Sequence, residues 1–246
     1  MDRYDILRKM EQQPDAKLKD LVMQLLYQEI ISLKIAPGEK LNVNHLAAQL
    51  GISRTPVAEA IASLTESGFV VSRPDQAGSF VLDLSLQDMI SLYQVRDAIE
   101  SEAAYLCAYN AEDNVIMELT RLADAFRDSV TLRDIHGMKE TDMPFHRLLI
   151  DSCGNRYLVR SYEEILPYLT RYQASMMEFI GRGANDLNPW LSNVKYNHVS
   201  VVSAIRMRMP ELARQSMADH IASSLSFTSL SGDTADPFQS LKAPAE

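Results

Sequence analysis

Asp142 and His146 stand four residues apart, which puts them one turn apart on a single helical face. At that spacing a carboxylate and an imidazole can grip the same metal ion. Two further histidines occupy amphipathic stretches. His198 shares an apolar face with Val201, Val202 and Ile205, and His220 borders one formed by Leu212, Ala213, Met217 and Ile221. Three imidazoles turned toward a helical interior need partners, because an unpaired buried polar group is costly. Spacing alone favours a plainer account, with each histidine satisfied separately and Asp142–His146 forming an ion pair along one helix. His45 reads as a surface residue, and His136, beside Gly137, as part of a loop.

Catalysis finds no comparable footing. There is no HExxH, no Gly-rich phosphate loop, no GxSxG elbow and no dinucleotide fingerprint. A hydrolytic metal would also need a general base, and no motif supplies one. Cys107 and Cys153 are too few for a disulfide framework and too far apart for a CxxC motif, so they read as thiols of a reducing cytosol. The N-terminal Met1-Asp2-Arg3-Tyr4-Asp5 lacks the apolar core of a secretory signal. No stretch approaches the roughly 18 apolar residues of a membrane span. These features predict a cytoplasmic protein without membrane partners.

The elements that would position these residues are mostly helices. The 246 residues are 46% apolar, 23% charged and 7% aromatic with only 9 Gly, a balance that disfavours an all-β fold. Apolar residues recur at helical spacing from Lys17 to Leu33. Beyond Leu84 the pattern predicts helices over Leu86–Tyr109, Asp113–Arg133, Met138–Ser152, Tyr157–Phe179, Leu187–Met207 and Pro210–Ser229. Between these regions lie two short helices. Asn42 caps the first, Gly51 ends it, and the second starts at Ser53 or Thr55 with Pro56 in its first turn. Phe69-Val70-Val71 and Ser79-Phe80-Val81 flank a Gly-containing turn and predict a hairpin. The expected fold is mainly α: an N-terminal winged helix-turn-helix over residues 1–82, then an antiparallel helical bundle over 83–230. Residues 231–246 read as a flexible tail.

Ile35-Ala36-Pro37-Gly38-Glu39-Lys40-Leu41, followed by Leu46-Ala47-Ala48-Gln49-Leu50-Gly51-Ile52-Ser53-Arg54-Thr55-Pro56-Val57, resembles the DNA-binding signature of GntR-type bacterial regulators. The likeness continues through Leu64-Thr65-Glu66-Ser67-Gly68 to Gly78. It implies a double-stranded, pseudo-palindromic DNA operator as partner, contacted from Ser53, Arg54, Thr55, Pro56, Arg73 and Gly78 by a homodimer. The family usually has an arginine directly after the Thr-Pro-Val segment, where this chain has Ala58. One base or phosphate contact is therefore expected to be missing.

Asp142-Met143-Pro144-Phe145-His146 with Asn155-Arg156-Tyr157-Leu158, then His198, Ala204-Ile205, Ala213 and His220-Ile221, resembles the all-helical FCD effector domain of the FadR subfamily. This second resemblance implies a divalent metal held by Asp142, His146, His198 and His220, and zinc, nickel or manganese would suit such ligands. An effector carboxylate would fill coordination positions left open, with Arg96 as a second anchor. Arg96 reads equally well as the salt-bridge partner of Glu100. Together the resemblances imply a regulator whose operator binding answers to a small carboxylic acid. The alternatives are a sensor of the metal itself and, against the motif survey above, a metal-dependent enzyme.

The net charge of −9 runs against a nucleic-acid partner until it is divided. Residues 1–82 carry 9 basic and 10 acidic side chains, a net −1, which leaves −8 on the remainder. The acidity belongs to the helical part. A near-neutral reader predicts few phosphate contacts and a shallow salt dependence of DNA affinity.

Overall fold

The computed structural model describes residues 1–181, 188–226 and 238. It divides into two compact units, the first comprising Met1–Leu84 and the second beginning at Ser85. Apart from the buried Phe238, the segment read as a flexible tail lies outside the described residues. No helix among the described residues is long and apolar enough to cross a membrane.

The first unit opens with a helix that the sequence reading did not contain, α1 (Arg3–Gln12). Asp2 and Asp5 form its capping box, each side chain accepting from the other's end of the turn. α2 (Leu18–Ile31) buries Leu21, Val22, Leu25, Leu26 and Ile30. In α3 (Val43–Leu50) the Asn42 side chain accepts from the Asn44 and His45 backbone N–H groups, a cap worth about 1 kcal/mol. Gly51 then takes φ +67, and a side-chain carbon there would meet Arg3 Cδ at 3.0 Å. The positive φ favours glycine, whereas the exposed Arg3 side chain could shift aside. α4 (Arg54–Glu66) follows, with Ser53 in the N-cap position but without a side-chain cap bond. Val57, Ala60, Ile61 and Leu64 fix its inner face, so the helix start stays open to solvent.

The expected hairpin is present as β2 (Val70–Arg73) and β3 (Gln76–Val81), in register Val70↔Val81 and Val71↔Phe80. A two-residue strand, β1 (Lys40–Leu41), adds to the other edge of β3 with Lys40 opposite Phe80. The sheet is therefore three-stranded and antiparallel, in the order β1-β3-β2. Helix-turn-helix and sheet together make a winged helix.

The second unit has only helices as regular elements among its described residues. It comprises α5 (Leu86–Asn110), α6 (Asp113–Leu132), α7 (Ile135–Ser152), α8 (Arg156–Gly181), α9 (Asn188–Val194), α10 (Asn197–Arg206) and α11 (Pro210–Leu225). α5 lies along α11 and touches α7, α8 and α10, so it is the axis of the bundle. Two readings need correction. His136 lies in the first turn of α7, because Asp134 caps that helix by accepting from the Gly137 N–H. The stretch read as one helix up to Met207 breaks into α9 and α10 at Tyr196, whose φ of −107° and ψ of 0° leave the helical pattern. The break lets Trp190, Leu191 and Val194 close on Met176, Met177 and Ile180.

Candidate functional site

Three helices of the second unit bring the acid and the three histidines to one point. α7 supplies Asp142 and His146, α10 supplies His198 and α11 supplies His220. Pro144 lies between the two α7 residues. It removes one backbone donor from the turn that carries both of them. All four side chains are buried, and one donor atom from each lies within 4.8 Å of the others. His146 is the centre of the group. Its Nε2 is 3.2 Å from His198 Nε2 and 3.1 Å from His220 Nε2. Asp142 Oδ1 lies 3.4 Å from His198 Nε2 and 3.7 Å from His146 Nε2.

These separations match those between ligands of one ion. With metal–nitrogen bonds of about 2.1 Å, neighbouring donors lie about 3.0 Å apart in an octahedron and about 3.4 Å in a tetrahedron. Nδ1 of His198 and Nδ1 of His220 are buried without a hydrogen-bond partner. Three ring nitrogens this close, two of the rings otherwise unbonded, suit a shared cation better than a closed hydrogen-bond network. Phe145 stacks on the His198 ring at 4.2 Å and Phe126 tilts against it at 4.4 Å, which fixes its plane.

The supporting residues come from α5 and α8. Glu100 reaches in two directions. Its Oε1 accepts from Arg96 Nε at 2.7 Å, and its Oε2 lies 2.5 Å from His146 Nδ1. Gln173 Nε2 donates to Asp142 Oδ2 at 2.6 Å. Burial opposes the charge on Glu100, but Arg96 and His146 outweigh it and hold its carboxyl down at about 2. Burial would likewise raise Asp142, yet its contacts with the two histidines bring it below the usual carboxylate range. Burial pushes His198 down to about 3 and His220 well below its ordinary value, so both rings are neutral and fit to ligate. His146 moves the other way. Burial lowers it, and the Glu100 carboxylate more than compensates.

Sequence reasoning weighed Glu100 only as a partner for Arg96 and did not single out Gln173. A hint lay in helical spacing, which puts Glu100 on the same face of α5 as Tyr93, Ala103, Ala104 and Cys107, all buried. Arg96 is both buried and paired with Glu100. Its two Nη groups have no carboxylate partner among the described residues, and the residue lines a cavity beside Asp142 and His220. The salt bridge and a role toward a ligand are thus compatible.

In the first unit, Ser53, Arg54 and Thr55 are exposed at the start of α4, and Arg54 forms no ion pair among the described residues. Ala58, on the same helix, is exposed as well. Arg73 differs from Arg54. Its Nη2 donates to Asp83 Oδ2 at 2.8 Å and its guanidinium lies 4.6 Å over the Phe80 ring, so its charge is partly spent. Gly78 has φ +129, and a side-chain carbon there would meet Lys40 Cε at 2.8 Å. Lys40 therefore crosses the wing at the glycine. This exposed cation was not singled out in the sequence because it is remote from the hairpin until β1 pairs with β3.

Comparison with known proteins follows the same division. Residues 18–81 match the family described as bacterial regulatory proteins, gntR family. Residues 91–223, more than half of the chain, match the FCD domain family. A probable D-xylose utilization operon transcriptional repressor of Paenarthrobacter nicotinovorans is 26% identical over 87% of this chain and 90% of its own length. The HTH-type transcriptional repressor NanR of Cronobacter sakazakii is 29% identical over 84% of each chain. The solved structure of E. coli McbR/YncC superposes with a TM-score of 0.63 at 19% identity, over 86% of this chain and 96% of that one. That last likeness is one of fold.

Proposed function

The chain belongs to the gntR family of bacterial regulatory proteins and carries an FCD domain, and from that premise of a DNA-binding transcription regulator we propose that its operator affinity is set by a small carboxylate bound at a metal ion in the helical unit. The convergence of Asp142, His146, His198 and His220 carries this reading. These residues would hold a divalent ion, with zinc, nickel or manganese matching an imidazole and carboxylate donor set. The ion would supply positive charge for a carboxylate to neutralise. Arg96 would bind and orient the same group through its Nη donors. Glu100 holds His146 in place, and Gln173 holds Asp142.

On the DNA side, Arg54 at the exposed start of α4 would read a base edge or grip a phosphate. Ser53, Thr55, Pro56, Arg73 and Gly78 complete the contacting set. Two copies of the chain would place two such helices on successive major-groove faces of a pseudo-palindromic operator in the cytoplasm, about 34 Å apart. Effector binding would favour a dimer arrangement that no longer matches this spacing, and operator DNA would weaken effector binding by the same factor.

The test is a DNA-binding titration with metal-loaded full-length protein on the region upstream of its own gene, with and without a panel of carboxylic acids. A change in affinity with acid supports the reading. A response to metal alone, with no effect of any acid, would make the metal the signal instead.

Glu100 supplies a sharper check on the metal site. Glu100→Gln keeps the shape but removes the charge that faces His146 Nδ1 and Arg96 Nε. Zinc affinity, measured by competition with a chelating dye, is expected to fall about 10–100-fold, as for other residues that orient a ligand. An affinity within twofold of the parent would reduce Glu100 to a partner of Arg96.

A further inference from the structure

The cavity beside the four donors has two kinds of wall. Arg96, Asp142, Gln173 and His220 contribute polar groups. Much of the remaining lining comes from Phe126, Leu169, Met176, Met177, Trp190 and Val194. Several of these also belong to the buried apolar cluster of α6, α8 and α9. The polar atoms at the cavity are mostly committed. Gln173 Nε2 donates to Asp142, and the Ser224 hydroxyl donates to the His220 carbonyl at 3.1 Å. A guest rich in hydroxyls would lose its water and find few partners in exchange. An apolar guest would meet aromatic rings and thioethers, which adapt to its shape.

Charge narrows the class further. A metal takes an imidazole in its neutral form and a carboxylate as its anion, so Asp142 brings one negative charge and the histidines none, while Arg96 and Glu100 cancel as an ion pair at 2.7 Å. With the divalent ion added, and His146 neutral because it ligates that ion, the group sums to one positive charge, which a single carboxylate cancels. A second carboxylate would lie buried without a counter-charge.

We propose that this cavity takes an amphipathic monocarboxylate, an acid with an aromatic or medium-length aliphatic body, in preference to a polyhydroxylated acid. The inference rests on the reading of the site as a metal-assisted carboxylate pocket. It adds what the rest of the ligand must be.

Trp190, the single tryptophan of the chain, lines the cavity and reports on its contents. The experiment titrates the full-length protein, shown by native mass spectrometry to hold one zinc per chain, with benzoate, hexanoate, gluconate and acetate while following tryptophan fluorescence. Benzoate and hexanoate are expected to saturate the signal at concentrations at least tenfold below those needed for gluconate or acetate. Met176→Gln is expected to weaken benzoate about tenfold and to leave acetate unchanged, because acetate has no body to contact that side chain. Gluconate binding as tightly as benzoate would overturn the proposed ligand class and leave the carboxylate pocket standing. No response to any of the four acids in zinc-loaded protein would overturn the pocket reading, and the proposal with it.

Discussion

His220→Ala is expected to lower zinc affinity at least a hundredfold and to reduce the metal content of purified protein from one ion per chain to none. The loss should exceed the about 10–100-fold typical of a residue that merely supports a ligand. His220 Nε2 lies 3.1 Å from His146 Nε2, while its own Nδ1 is buried without a partner. The variant therefore removes a ligand atom whose close polar contact is with His146, another ring of the same site. His146→Ala should lose metal equally but also destabilise the empty protein, because it strips Glu100 of one of its two buried partners. Thermal melting separates the two effects. Metal at a thousandfold excess over its dissociation constant adds about 4 kcal/mol to the native state. A chelator should thus lower the melting temperature of the parent chain by several degrees and leave that of His220→Ala unchanged. Stoichiometric zinc in purified His220→Ala would sink the four-donor site.

The second large effect is expected at Arg54. Arg54→Ala should weaken operator binding about 10–100-fold, corresponding to the ~1–3 kcal/mol of a good guanidinium–guanine contact. The circular dichroism spectrum should not change, because the side chain is exposed and takes part in no ion pair among the described residues. Comparing operator with random DNA identifies what it touches. Loss confined to the operator indicates a base edge, and equal loss on both indicates a phosphate. Arg73→Ala should cost less, since Asp83 and Phe80 already hold that guanidinium. An Arg54→Ala protein that binds its operator as the parent does would remove α4 from the reading of DNA.

The winged helix was legible because its signals are local. Asn42, Gly51 and the spacing of Val57, Ala60, Ile61 and Leu64 each act within a turn or two of backbone, and each does in the structure what the sequence implied. β1 carried no local signal. Two residues make a strand only because β3 is beside them. α1 escaped notice for a different reason. Tyr4, Leu7 and Met10, its apolar residues at intervals of three, face solvent, and Ile6 is the residue it buries. Periodicity finds helices through the face they bury, and here that face is almost absent.

At the metal site, sequence spacing could relate Asp142 to His146 but not to rings that are dozens of residues away. Only the resemblance joined the four, and the packing of α7, α10 and α11 supplies the physical reason. The dual contact of Glu100 was hidden by its easy local pairing with Arg96, one helical turn earlier. With Ala58 exposed and uncharged, Arg54 is the cation at the α4 start.

The break at Tyr196 carries a consequence for how such a protein can diversify. In one continuous helix Trp190 and His198, eight residues apart, would be locked about 80° apart around a common axis. Any drift in the wall would then drag the imidazole with it. The joint makes the two separately heritable: α9 can exchange its side chains to suit a new guest while α10 keeps His198 on station. A lineage built this way can change its diet without rebuilding its metal.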